Sequence, residues 1–201
     1  NETQEKEGFL MHEISLGYTV QDFISGEQVE ATTYEDIRQD IARFLVEKKK
    51  VPKVYIQTKA QALAIVDGRE YVQSLDLVIG QDPKEPIMAL KFCAGQVETY
   101  ARQVLAAARL LVQGPARLAV VTDTSKALIL KVADGQLLRE CGYAELPDWQ
   151  EMQDLMSSVP AYALTEDKKS KEARLLYALS ELSCSCSQDS CSVPGGDRSA
   201  Q

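Results

Sequence analysis

The stretch "DLVIGQDPKEPIMALKF", Asp76 to Phe92, places the tightest limit on the fold. Two apolar, strand-like runs flank a polar turn, which predicts neighbouring strands of a buried sheet. Yet the first run opens on an aspartate and the second carries a lysine near its end. An antiparallel hairpin centred between Pro83 and Lys84 sets Asp76 opposite Lys91 and Val78 opposite Ala89. Directly opposed residues project from one face, with Cβ atoms roughly 4.5–5.5 Å apart. Period-two alternation then assigns Asp76, Val78, Ala89 and Lys91 to one face and Leu77, Ile79, Met88, Leu90 and Phe92 to the other. A one-residue slip would reverse that assignment.

The rest of the chain supplies neighbours for this hairpin. In "TTYEDIRQDIARFLVEKKK", Thr32 stands three residues before Glu35, a capping-box spacing. Ile37, Ile41, Phe44 and Leu45 then follow at helical intervals, and Pro52 ends the segment. "AQALAIVDGREYVQSLDLVIG" reads as two strands joined at Asp67-Gly68. "EPIMALKF" is a third strand. "GQVETYARQVLAAARLLVQGP" puts Val97, Ala101, Val104, Leu105, Ala108 and Val112 on one helical stripe, ended by Gly114-Pro115. "ARLAVVTD" and "ALILKV" are two further strands, after which Asp134-Gly135 turns the chain. "HEISLGYTVQDFIS" near the N-terminus has room for short strands. Two helices are expected in "PDWQEMQDLMSSV" and "EDKKSKEARLLYALSEL". The predicted organisation is an α/β domain over residues 1–146, a helical extension over 147–182, and a flexible Cys/Ser-rich tail over 183–201.

Composition bounds the function. Apolar residues are 45% of the 201, enough for a real core, and the net charge of −8 argues against non-specific electrostatic binding to nucleic acid. It leaves room for a local basic patch, and two candidates exist: Lys48, Lys49, Lys50 and Lys53, then Lys168, Lys169 and Lys171. Each also reads as a solvated face, and the first shows no aromatic interleaving. No apolar run reaches the ~20 residues of a membrane span, and the acidic opening "NETQEKEGFL" is unlike a signal peptide. Five cysteines, an odd number with Cys93 and Cys141 in or beside apolar runs, fit a reducing compartment. A soluble, cytoplasmic protein is expected. Cys184, Cys186 and Cys191 form C-x-C-x4-C, too few ligands to predict zinc or an iron–sulfur cluster. His12, the sole histidine, reads as a surface residue.

Asp76 and Lys91 have two readings. One is a cross-strand ion pair at the rim of a sheet. The other is chemical: on central strands a carboxylate can hold a divalent cation while an ammonium stabilises attack on a phosphodiester.

The element order, with "SLDLVI" and "IMALKF", resembles the PD-(D/E)xK nuclease fold, and more closely the N-terminal domain of the type I restriction enzyme R subunit and stand-alone bacterial proteins similar to it. The resemblance spans roughly residues 20–135. It implies a restriction-endonuclease-like central mixed β-sheet flanked by helices, with an αβββαβ core. "YEDIRQDIARFLVEKKKVPK" looks like the family's leading "E…RQ" helix, with Glu35 in the acidic position. Asp76 matches the family's aspartate, the "ExK" tripeptide falls on Ala89, Leu90 and Lys91, and "QxxxY" falls on Gln96 and Tyr100. "RLAVVTD" resembles the closing strand. The resemblance implies that Asp76 binds magnesium, that Lys91 assists attack, and that Gln96 and Tyr100 position water or substrate.

Three positions depart from the pattern. Leu75 and Thr124 replace residues that shape backbone. Ala89 replaces a direct metal ligand, and a methyl group donates no electron pair. Glu98, or Glu35, is the candidate to fill that place as a metal ligand. Glu98 also suits a helix N-terminus, Glu35 a capping box, and Gln96 with Tyr100 an ordinary i,i+4 pair. The expected function is a magnesium-dependent DNA endonuclease-like domain for bacterial restriction or repair, impaired by Ala89. The alternative is a non-catalytic DNA-docking or protein-interaction module on the same fold. A protein partner, or a second copy of the chain, has the apolar C-terminal helix "ARLLYALSEL" as its candidate surface.

Overall fold

The structure, a computed structural model, describes residues 13–182. Strands β1 (Ser15–Gln21) and β2 (Gln28–Thr32) form a small antiparallel sheet of their own. Helix α1 (Glu35–Glu47) leads into β3 (Ile56–Val66) and β4 (Arg69–Ile79). These two are joined at Asp67-Gly68, as predicted, and both turn residues have positive φ, 50° and 76°. That is the left-handed pair a two-residue type I′ turn demands. Then come β5 (Met88–Phe92), α2 (Val97–Arg109), β6 (Leu118–Thr122), β7 (Lys126–Lys131) and β8 (Leu137–Gly142). The six strands lie in the order β3-β4-β5-β6-β7-β8. Every neighbouring pair is antiparallel except β5 and β6, which are parallel and need α2 as their crossover. This is the mixed sheet flanked by helices expected of a restriction-endonuclease-like fold.

The sheet is covered on both faces. On one, Val78, Ala89, Ala119 and Val121 pack under α2 and α4 (Glu166–Leu182), with Ala173 and Leu176 of α4 fully enclosed. On the other, Leu77, Ile79, Met88, Leu90 and Val120 meet Ile41, Ala42 and Leu45 of α1, and Met152 of α3 (Trp149–Ser158). Neither late helix stands apart from the sheet, and the apolar residues Ala173 and Leu176 of "ARLLYALSEL" are spent inside the chain. No helix among the described residues is long and apolar enough to cross a membrane.

Four local expectations need correction. The N-cap of α1 is Tyr34, not Thr32, and it makes no side-chain cap bond. The Thr32 hydroxyl instead accepts from the Tyr34 N–H and donates to Glu13, while Glu35 turns inward. The stripe of α2 stops at Arg109. Beyond it, Leu63 N–H donates to Leu110 O and Val112 N–H to Gln61 O, so the chain runs along the outer edge of β3 and leaves Val112 66% exposed. Gly114 then serves a close approach rather than a helix cap: its φ is 131°, and a Cβ there would sit 2.5 Å from Lys84 O. Finally, the Asp134-Gly135 turn opens a sixth strand, β8, that its own residue pattern does not announce.

Candidate functional site

The β4–β5 register pairs Leu77 with Leu90, Val78 with Ala89 and Ile79 with Met88. Continued by one step it brings Asp76 to Lys91, whose Nζ lies 3.1 Å from Asp76 Oδ1. Simple alternation, however, does not reach Asp76. Leu75 and Val78 share one core layer although they are three residues apart. On the partner strand, Ile56 belongs to the α1 layer and Ala60 to the α2 layer. The slip falls on both strands at the same step, between the pairs Thr58–Leu77 and Ala60–Leu75. The residues at that step are Lys59, with φ +52°, and Asp76. The expected common face for Asp76 and Val78 is therefore corrected. Val78 packs under α2, while Asp76 is held from α1.

The group that holds it is Arg38. Its Nε donates to Asp76 Oδ1 at 3.0 Å, Nη2 to Glu13 at 3.0 Å, and Nη1 to Glu35. Asp76 Oδ2 accepts the Phe92 N–H at 2.6 Å. Both carboxylate oxygens of a residue only 3% exposed are thus engaged. Glu35 in turn accepts from Lys59 Nζ at 3.0 Å and Gln39 Nε2 at 2.8 Å. The Gln39 amide also donates to Asp22 and accepts the Phe23 N–H. Three acids (Glu13, Glu35, Asp76) and three bases (Arg38, Lys59, Lys91) therefore close a network that ties the β1–β2 sheet, α1 and the central strands together.

Electrostatics favours the Arg38 cation and the Glu13 anion. Burial works against the Arg38 cation, yet the Asp76, Glu13 and Glu35 carboxylates outweigh it and hold the guanidinium above its ordinary value. Burial likewise disfavours the Glu13 anion, but the Thr32 hydroxyl and Arg38 bring its carboxyl below the usual range. The hollow lined by Tyr34, Arg38, Asp76, Lys91 and Phe92 measures about 10 Å³, at the lower limit for a single water.

These donors do not suit magnesium. It would need one or two free carboxylates and room for its waters. Asp76 is committed to an arginine, a lysine and an amide, and Ala89 is fully buried with no donor to give. Glu98 is exposed at the start of α2 and paired with Lys126, which also holds Glu140. Its carboxyl is lowered chiefly by that Lys126 bond. Among the described residues no three His, Cys, Asp or Glu side chains are grouped to hold a metal. Gln96 is the exposed N-cap residue of α2, and Tyr100 is half-buried against the α2 layer. His12, Cys184, Cys186 and Cys191 lie outside the described residues.

The structure thus brings Asp76, Lys91 and Glu35 together. Sequence reasoning gave no role to Arg38, Gln39, Lys59 or Glu13. A signal for two of these was present: at 100° per residue, Glu35, Arg38 and Gln39 fall on the same arc as Ile41, Ala42 and Leu45. Polar side chains inside an apolar arc must be paired when buried. Lys59 and Glu13 left no such trace, because their partners are set by tertiary contact alone.

No curated protein and no solved structure matches this chain. One family model does, over residues 33–147, a span that includes α1, the central strands and α2 and exceeds half of the chain. That family is the type I restriction enzyme R protein N terminus (HSDR_N), and the chain belongs to it.

Proposed function

We propose that this chain is a DNA-docking domain built on the endonuclease plan of its family, in which magnesium-dependent hydrolysis is impaired. One observation carries this reading. Arg38 Nε and Lys91 Nζ, at 3.0 and 3.1 Å, converge on the same oxygen of Asp76, beside the buried methyl of Ala89. A fixed guanidinium supplies the positive charge that a nuclease of this plan takes from its cation. Unlike a metal ion, it cannot activate water, because it offers only N–H donors and has no open coordination position. Lys91 keeps its ammonium beside this centre, with about a quarter of its side chain open to solvent.

The competing reading is an active deoxyribonuclease with Asp76 binding magnesium, Lys91 assisting attack, and Gln96 and Tyr100 positioning water. A single pair of assays decides between them. Duplex DNA binding is followed by fluorescence anisotropy with EDTA and with ~5 mM magnesium, well above the affinities of most folded cation sites. Plasmid nicking is followed under the same magnesium and with manganese. The docking reading expects binding that does not depend on the metal, and an intact plasmid. Nicking by the wild type that vanishes in Asp76→Asn would return the protein to the active enzymes.

A further inference from the structure

The far end of α1 carries charge of the opposite sign to the chain as a whole. Between residues 43 and 53 stand Arg43, Lys48, Lys49, Lys50 and Lys53 against one acid, Glu47, in a chain of net charge −8. Arg43, Lys48, Lys50 and Lys53 are exposed. Sequence alone shows no ring interleaved with the lysine cluster, but the fold delivers one from the β1–β2 connection. Arg43 Cζ lies 5.4 Å and Lys53 Nζ 4.7 Å from the centroid of the Phe23 ring. The backbone of Phe23 is anchored by Gln39, the residue that also binds Glu35 of the Asp76 network.

Phe23, Arg43 and Lys53 line an open cavity of about 290 Å³ with Gln21, Asp22 and Gly26. That is ample for a phosphate group and at the lower edge of the ~300–1,000 Å³ that sites for drug-sized ligands occupy. Asp22 keeps its negative charge at the pocket wall, held by neutral donors, Gln39 on one oxygen and the Ser25 N–H on the other, so two cations face one anion there. Arg43 gives one nitrogen to Asp40 at 3.0 Å in an exposed pair of small worth, which leaves the rest of its fork available. Two cations gathered over one ring, beside a cavity roomy enough for a phosphate group, suit the phosphate backbone of the DNA that the docking reading supplies.

We propose that the Phe23–Arg43–Lys53 pocket binds the phosphate backbone of DNA, with Arg43 and Lys53 each contacting a phosphate and Phe23 holding the two cations apart. This rests on the docking reading above. The test is duplex-DNA anisotropy over a range of salt concentrations. It compares the full chain with a double variant, Arg43→Gln with Lys53→Gln, and a charge-matched control, Lys169→Gln with Lys171→Gln, in the other basic cluster. The pocket variant should bind roughly tenfold or more weakly, and its log–log salt slope should fall by about 2, while the control keeps wild-type affinity to within a few-fold. Equal losses in both variants would assign binding to overall charge and overturn the pocket. Unchanged binding in the pocket variant would overturn the pocket and leave the docking reading standing. Absence of binding by the wild type overturns both. A poly-glutamate peptide that binds where DNA does not would give the pocket to a protein partner and overturn the proposal. Circular dichroism of both variants verifies that the exposed substitutions leave the fold intact.

Discussion

Arg38 Nε donates to Asp76 Oδ1 at 3.0 Å across 38 residues of sequence. The same guanidinium reaches Glu35 and Glu13 with its two other nitrogens, so one cation answers three carboxylates. A concentration of acids like this favours any nearby positive charge, and here the chain supplies it from its own helix. Such a network adds little net stability over an apolar packing of equal volume, because desolvation offsets the attraction. Losing its central member is a different matter, since the two buried acids, Glu35 and Asp76, would each keep a single lysine in place of the shared guanidinium.

Arg38→Met should therefore cost about 3–5 kcal/mol, a large fraction of the 5–15 kcal/mol typical of a domain. Urea denaturation monitored by circular dichroism measures it. Arg38→Lys, which keeps the charge but loses the planar fork, should lie between the wild type and Arg38→Met. A loss below ~1 kcal/mol for Arg38→Met would mean that the network is not closed in solution.

Glu13 of this network and Asp22, which Gln39 ties to it, set the behaviour at low pH. The carboxyls of Glu13 and Asp22 are both held below their ordinary values. In each, burial opposes the shift, and hydrogen bonds outweigh it: from Thr32 and Arg38 to Glu13, and from Ser25 and Gln39 to Asp22. A group lowered on folding contributes stability that is present above its unfolded pKa and lost as pH falls through the folded one. With ordinary values of 4.5 and 3.8, stability should be level above about pH 5 and decline below it. Glu13→Gln should flatten the upper part of that decline in a series of thermal melts. An unchanged acid limb in this variant would remove Glu13 from the explanation.

Two glycines with positive φ separate backbone strain from crowding. Gly17 has φ +77° and nothing within 4 Å of where an alanine methyl would sit, whereas at Gly114 the added carbon would meet the Lys84 carbonyl at 2.5 Å. Gly17→Ala should cost about 1 kcal/mol, from conformation alone. Gly114→Ala should cost at least ~2 kcal/mol, because backbone must shift as well. Equal denaturation midpoints for the two variants would show that the Lys84 turn yields freely.

Leu176 is enclosed between α4 and the sheet. Leu176→Ala should cost about 2–5 kcal/mol. A chain cut after Leu164 should lose cooperative unfolding, because Ala60, Ala62 and Ala64 of β3 would be left without cover on that face. Differential scanning calorimetry checks both. A sharp transition in the shortened chain would make α4 an accessory.

The central layer was legible because its signals are local. Asp67-Gly68 specifies a turn whatever surrounds it, and the runs around Pro83 fix their own register through the length of the loop. Strand β8 was less legible: "LLRECG" alternates poorly, and it owes its pairing to β7 rather than to its own pattern. The candidate site divides in the same way. Asp76 and Lys91 could be matched across a hairpin, but Arg38 reaches them from another element, and the face Asp76 presents depends on a backbone flip at Lys59. Glu98 illustrates the limit from the other side. Its place at the start of α2 was readable, while its choice of Lys126 required β7 to be in position.

The coincident slip at Lys59 and Asp76 has a consequence for how the hairpin can vary. Seven residues lie between Lys59 and the tight turn, and seven between the turn and Asp76, and the pairing between them runs without interruption. Removing one residue from either arm would leave the two flips facing ordinary strand instead of each other, with the carboxylate driven into the apolar layer. Length changes in this hairpin are therefore admissible only as matched additions or losses on both arms.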